Sequence, residues 1–115
     1  VARVLQRAEI RKADFREIAP LVDGNTFVYF DPPYRPISAT SSFKAYSKTE
    51  FADREQAELA RLFAQLDGRG AALMLSNSDP KNHDPADDFF DHLYASFPLR
   101  RIPAKRMINS VADKR

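Results

Sequence analysis

Residues 26–34 read TFVYFDPPY. The first five are all β-branched or aromatic, and so unbroken a run predicts a strand buried on both faces, as in a parallel sheet. The strand then stops on a carboxylate, two prolines and a phenol ring. Each proline fixes its own φ, and Pro33 restricts Pro32 as well, so the corner is stiff. Pro32 has no N–H, yet its carbonyl still accepts a hydrogen bond. Asp31 and the Pro32 carbonyl therefore offer two acceptors side by side, with Tyr34 as a flat ring for stacking. The set matches a planar heterocycle bearing an exocyclic –NH2 group. The plain structural alternative is a stiff turn with Asp31 as its cap; the apolar run in front of the corner favours the site.

The chemistry of such a corner follows from its acceptors. Holding both amine hydrogens out of the ring plane leaves the nitrogen lone pair less delocalised. It can then attack an electrophilic methyl group in line, and the proton leaves afterwards. The protein contributes position and electrostatics. A base inside a duplex must be flipped out of the stack to reach such a pocket.

Outward from the corner the elements alternate. Upstream, Ala8–Ala13 shows some strand alternation, Phe15–Val22 suits a short helix or turn, and Asp23-Gly24-Asn25 is a turn. Downstream, the Ser/Thr-rich stretch from Pro36 to Lys48 is too long for a plain connector. Asp53 and Gln56 have capping-box spacing, and Leu59, Leu62, Phe63 and Leu66 give one helical stripe. Gly68 and Gly70 end that helix. Ala71–Leu75 is a second buried strand, followed by Ser76-Asn77. A second helix is expected from Asp84-Pro85, with Phe89, Phe90, Leu93 and Phe97 on its inner face.

Strand–helix–strand–helix order predicts an α/β fold with a mainly parallel sheet. Ligands in such sheets sit beyond the carboxyl ends of strands. Asp14-Phe15, the Asp31–Tyr34 corner and Ser76-Asn77 all fall at such ends.

Composition narrows the classes. The chain has 115 residues, so it is one domain or part of one. It has no cysteine and two histidines, which excludes a disulfide framework and a thiolate or zinc cluster; no metal is expected. There is no apolar run of membrane-span length and no signal peptide, and cytoplasm is the expected compartment. Net charge is +2 but uneven. Arg100, Arg101, Lys105, Arg106, Lys114 and Arg115 crowd the end, which fits phosphate contact as well as a solvated terminus. His83 and His92 suggest no catalytic role, and Asp84–Asp91 reads as a solvated helix start.

FVYFDPPYRPISATSSFKAY, residues 27–46, resembles the catalytic motif and following loop of Dam-type, D12 class DNA adenine methyltransferases. The four-residue corner is shared with other amine methyltransferases, some acting on RNA. Arg35, Pro36, Ser38, Thr40, Phe43 and Tyr46 are more specific, as is LMLSNSDP, residues 73–80; KRMINSVADKR at the end resembles the family's late segment. The resemblance runs from about Asp14 onward. It implies a Rossmann-like S-adenosyl-L-methionine-dependent fold with helices on both faces. It implies methyl transfer to the 6-amino group of a flipped adenine in double-stranded DNA.

Site residues follow from the resemblance. Asp31, Pro32, Pro33 and Tyr34 are the catalytic corner. Asp14, Phe15 and Asp31 border the cofactor, Asp14 taking its amine and Phe15 packing on its adenine. Arg35, Ser38, Thr40, Ser41, Lys44, Tyr46, Arg106, Asn109 and Ser110 are expected at DNA. Without the resemblance, Asp14 reads as a helix cap and Phe15 as core.

The departures are specific. The family's Phe-x-Gly-x-Gly segment has no counterpart, since the only glycines are Gly24, Gly68 and Gly70, and the DNA-recognition insert is missing too. The expectation is therefore the C-terminal portion of a catalytic domain, inactive in isolation. The other readings are an RNA amine methyltransferase and a non-catalytic nucleic-acid-binding remnant. The target sequence and a cognate restriction endonuclease are left open.

Overall fold

The computed structural model describes residues 6–35 and 51–104. Two compact units are distinguished, residues 1–78 and 79–115.

The first unit holds the sheet. A 3-10 helix, Phe15–Leu21, is followed by strand β1, Phe27–Phe30, helix α1, Asp53–Gly68, and strand β2, Ala72–Leu75. The strands pair in parallel, Phe27 opposite Ala72 through Phe30 opposite Leu75. The ladder runs one bond past each end: Ala72 N–H donates to the Thr26 carbonyl at 2.9 Å, and Ser76 N–H to the Phe30 carbonyl at 3.1 Å. Two parallel strands joined through a helix form a β-α-β unit, as the alternating pattern predicts.

Helix α1 covers one face of the pair. Leu59, Leu62, Phe63 and Leu66 are all buried, as their spacing predicts, and Leu66 is fully so. The Phe63 ring lies 6.1 Å from that of Phe30. Strand alternation puts Phe27, Tyr29, Ala72 and Met74 on the opposite face. There Phe27 is 62%, Tyr29 53% and Met74 56% exposed. The expected burial on both faces is thus corrected to burial on one. An unbroken apolar run records that both faces are fit for burial; what covers each face is not written in it.

Three local expectations also change. Ala8–Ala13 forms no strand. The N-cap of α1 is Ala52, and its N–H is met by Glu55 Oε1 at 3.0 Å, so Asp53 and Gln56 are released from the expected cap roles. In the second unit the helix begins later than Asp84-Pro85. Pro80–Asn82 is a 3-10 turn and α2 spans only Phe89–Leu93. The aspartates explain the delay. Asp84 Oδ1 accepts from Ala86 N–H at 3.0 Å and Asp87 Oδ1 from Phe89 N–H at 3.1 Å, local bonds that compete with helical ones. Phe90 and Tyr94 are buried there, and burial pushes the Tyr94 hydroxyl up to about 12.

The turn at Asp23–Asn25 is present, with Thr26 N–H donating to the Asp23 carbonyl at 3.1 Å. Among the described residues no helix is long and apolar enough to cross a membrane.

Candidate functional site

Beyond the carboxyl end of β1 lies a cleft of about 270 Å³, lined by Phe15, Tyr29, Phe30, Asp31, Pro32, Pro33, Phe51 and Leu59. The structure thus brings Phe15 together with Asp31, Pro32 and Pro33, residues the sequence places at two separate rim segments. Phe15 and Phe51 meet edge to face with centroids 5.6 Å apart. Two aromatic rings and two proline rings make apolar walls, and the exposed Asp31 supplies the carboxylate. Such walls with a single anionic acceptor suit a flat, amine-bearing ring.

Asp31 is held in a short polar chain. Ser76 Oγ donates to Asp31 Oδ1 at 3.2 Å, and the Tyr29 and Ser76 hydroxyls lie 2.7 Å apart. Parallel pairing creates this contact, because β1 and β2 end side by side. Ser76 thereby serves the carboxylate.

Helix α1 grips the corner from the other side. Arg35 Nε and Nη2 donate to Asp53 Oδ1 and Oδ2 at 2.9 and 3.2 Å. Gln56 Nε2 donates to the Pro33 carbonyl at 3.0 Å, and Gln56 Oε1 accepts from Asn77 Nδ2 at 3.2 Å. Gln56 is fully buried and is the buried polar side chain among the described residues. Sequence reading gave it only a cap role. A signal was nevertheless present: Gln56 stands three residues before Leu59, seven before Phe63 and ten before Leu66, squarely on the apolar stripe. A polar group on such a stripe is buried and requires partners. Phe51 was missed too; it directly precedes the N-cap, where an apolar residue often anchors the incoming chain.

Asp14 serves first as a cap. Its Oδ1 accepts from Arg16 N–H at 2.8 Å, while its own N–H donates to Glu17 Oε2 at 3.2 Å. Arg16 bridges Asp14 and Glu58, at 2.9 and 2.7 Å. The backbone N–H and guanidinium of Arg16 hold the Asp14 carboxyl below its usual range, and Arg16 likewise lowers Glu58. The Arg16 guanidinium also lies 4.5 Å from the Phe15 ring centroid. Asp14 is not among the cleft-lining residues, whereas Phe15 is. Tyr34 is 54% exposed, with its ring open to solvent.

In the second unit Arg101, counted in the basic end segment, is bound to Asp79 and Asp91, each at 2.7 Å. Ser38, Thr40, Ser41, Lys44, Tyr46, Arg106, Asn109 and Ser110 lie outside the described residues. No group of three side chains able to hold a metal ion occurs among the described residues.

The chain is similar to known proteins along almost its whole length. The chain is 46% identical over 115 residues to the Type II methyltransferase M.MjaIII of Methanocaldococcus jannaschii, covering all of this chain and 38% of that protein. It is 35% identical over 107 residues to a Type II methyltransferase of Lactococcus lactis subsp. cremoris, 93% of this chain and 35% of that one. Against the DNA adenine methylase of Haemophilus influenzae identity is 27% over 115 residues, 99% of this chain and 38% of the relative. The chain thus spans a little over a third of the length of these relatives. The family model for D12 class N6 adenine-specific DNA methyltransferases matches residues 1–108, corner, clamp and cleft included. The chain belongs to the D12 class N6 adenine-specific DNA methyltransferase family.

Proposed function

We propose that the chain forms the target-amine part of a site-specific DNA adenine methyltransferase of Rossmann-like fold. On this reading the methyl group passes from S-adenosyl-L-methionine to the 6-amino group of an adenine flipped from double-stranded DNA. The observation that carries the reading is Asp31, exposed at the carboxyl end of β1 on a cleft walled by Phe15, Phe51, Pro32 and Pro33.

Phe15 offers a ring on the cleft for the cofactor's adenine end, while Asp14, whose carboxylate Arg16 holds off the cleft lining, would reach the cofactor's amine only by giving up those bonds. Bound there, S-adenosyl-L-methionine supplies a methyl group on a positively charged sulfur. Asp31 and the Pro32 carbonyl each accept one hydrogen of the target amine and turn its lone pair toward that methyl group. Tyr34 stacks on the flipped base. The cofactor, held at Phe15, would supply the methyl carbon and keep the electron pair of the broken bond on its sulfur, and the surplus amine proton would pass to solvent. Asp31 stabilises the positive charge that develops on nitrogen.

Arg35, Ser38, Thr40, Ser41, Lys44, Tyr46, Arg106, Asn109 and Ser110 are proposed to meet DNA, mostly at phosphates. The compartment is the cytoplasm. Because two relatives carry Type II in their names, a cognate restriction endonuclease belongs to this reading as a further partner.

The test compares wild type with Asp31→Ala in the complete reading frame that encodes this chain. Labelled-methyl transfer is followed on DNA and on RNA oligonucleotides. Loss of one positioned acceptor should lower turnover on DNA on the order of a hundredfold or more while cofactor binding is kept. Full turnover in Asp31→Ala, or transfer to RNA alone, sinks the reading.

A further inference from the structure

Two hydrogen-bonded ties join the first turn of α1 to the corner after β1, and they bracket Tyr34. On one side Gln56 holds the Pro33 carbonyl; on the other Asp53 holds Arg35. The two ties differ in character. Asp53 is 54% exposed at its side chain and Arg35 23%, so that pair works partly in water. Gln56 has no exposed surface at all. Its amide is a donor at one end and an acceptor at the other, and both ends are used, toward Pro33 and toward Asn77. Asn77 Oδ1 in turn accepts from Ser78 N–H at 2.8 Å, which fixes the Asn77 amide and so the orientation of Gln56.

We infer that Gln56 is a positioning residue for methyl transfer: it fixes the Pro33 peptide, and through it the aim of Asp31, the Pro32 carbonyl and Tyr34. The inference rests on the function proposed above and adds to it a group that never touches substrate. The physical reason is the stiffness of two consecutive prolines. Neither can turn about φ, and Asp31 and Pro32, each preceding a proline, are confined in ψ, so the corner resists local rearrangement. Anchoring the Pro33 carbonyl therefore anchors the preceding acceptors too. Proline offers no N–H by which the sheet ladder could hold this stretch, and the carbonyl is the handle that remains. The same glutamine ties the corner after β1 to Asn77 after β2, so both strand ends keep a common register at the rim.

The experiment uses Gln56→Met in the complete reading frame. Methionine keeps the length and fills the space but makes neither hydrogen bond. A positioning role predicts a fall in kcat of roughly tenfold to a hundredfold, because small misplacements of reacting groups are costly. KM for DNA and Kd for S-adenosyl-L-methionine should stay within about twofold. Asn77→Ala should give a smaller fall in kcat, and the double variant should be no worse than Gln56→Met, since both act in series on one carbonyl. Amide hydrogen exchange at Tyr34 and Arg35 should quicken in Gln56→Met. If that variant folds poorly, Asn77→Ala and the exchange at the corner decide the matter. Unchanged kcat together with unchanged exchange at the corner overturns the inference, as does a parallel rise in KM that accounts for the whole effect. A wild type that does not methylate adenine defeats the proposed function instead, and the exchange measurement then judges the clamp alone.

Discussion

Asp31 and Asp14 show how one residue type takes different work from its surroundings. Asp31 stands exposed on the cleft, where its Oδ1 accepts from the Ser76 hydroxyl and acceptor capacity remains for a ligand. Asp14 is ringed by donors from Arg16, whose backbone and guanidinium both hold its carboxyl below the ordinary value of 3.8. A carboxylate whose folded pKa is depressed contributes stability above its unfolded value and loses it as pH falls through the folded one. Asp14→Asn keeps a cap oxygen but removes the charge. Above the carboxylate range the variant should melt below wild type, and the gap should close as pH falls below about 3.8, the unfolded value. Thermal midpoints across an acid series check this; a gap independent of pH would mean the charge is idle.

At the scale of elements, α1 is the organiser of the first unit. Its apolar stripe covers one sheet face, its first turn clamps the corner, and its end is turned by Gly70 at φ 88°. A Cβ at Gly70 would meet the Gly24 Cα at 3.7 Å, an ordinary contact, so space is not the obstacle. The backbone conformation is. Gly70→Ala should cost about 1–2 kcal/mol, the penalty of the left-handed region for a residue with a Cβ, read by denaturant titration. In the second unit the Arg101 bridges to Asp79 and Asp91 tie the segment after α2 back to its beginning, and both carboxylates draw on the same guanidinium. Asp91 is held below its usual range by that contact. Arg101→Ala should lower the thermal midpoint while leaving the salt dependence of DNA binding unchanged, since each phosphate contact contributes roughly one unit to that slope. A flattened slope would reassign Arg101 to DNA.

Among the described residues of the first unit, one face of the sheet stands open. Phe27, Tyr29 and Met74 stand more than half exposed on one side of a two-stranded sheet. Exposed apolar sheet surface with free edges invites pairing. The relatives that match the chain are more than two and a half times as long as it, so they contain much that these residues do not. The 115 residues on their own should therefore bind S-adenosyl-L-methionine weakly and transfer no methyl group to adenine-containing DNA. Labelled-methyl transfer should appear when the segments that these relatives carry beyond the match are supplied, in one chain or as a second polypeptide. Comparable rates from the short chain and the complete protein would refute this.

Local pattern was enough for the β1–α1–β2 order, the end of β1 at Asp31, the stripe of α1 and the family resemblance, because each depends on neighbours within a few residues. The same reasoning failed where several local bonds compete, as at the aspartates that delay α2 until Phe89. It also failed where burial depends on what lies opposite, as on the Phe27–Tyr29 face of β1. The cleft itself was only half legible. Asp31 and Phe15 stand out in the sequence, but that they share one cleft with Phe51 follows from the chain's return through α1. Gln56 shows the division most sharply. Its position on an apolar stripe determines that it is buried and must find partners. Which partners it finds, Pro33 and Asn77, is decided by parallel pairing of β1 with β2, which sets two strand ends side by side under the first turn of a helix. Those contacts span more than twenty residues each way, and no local periodicity encodes a separation of that kind.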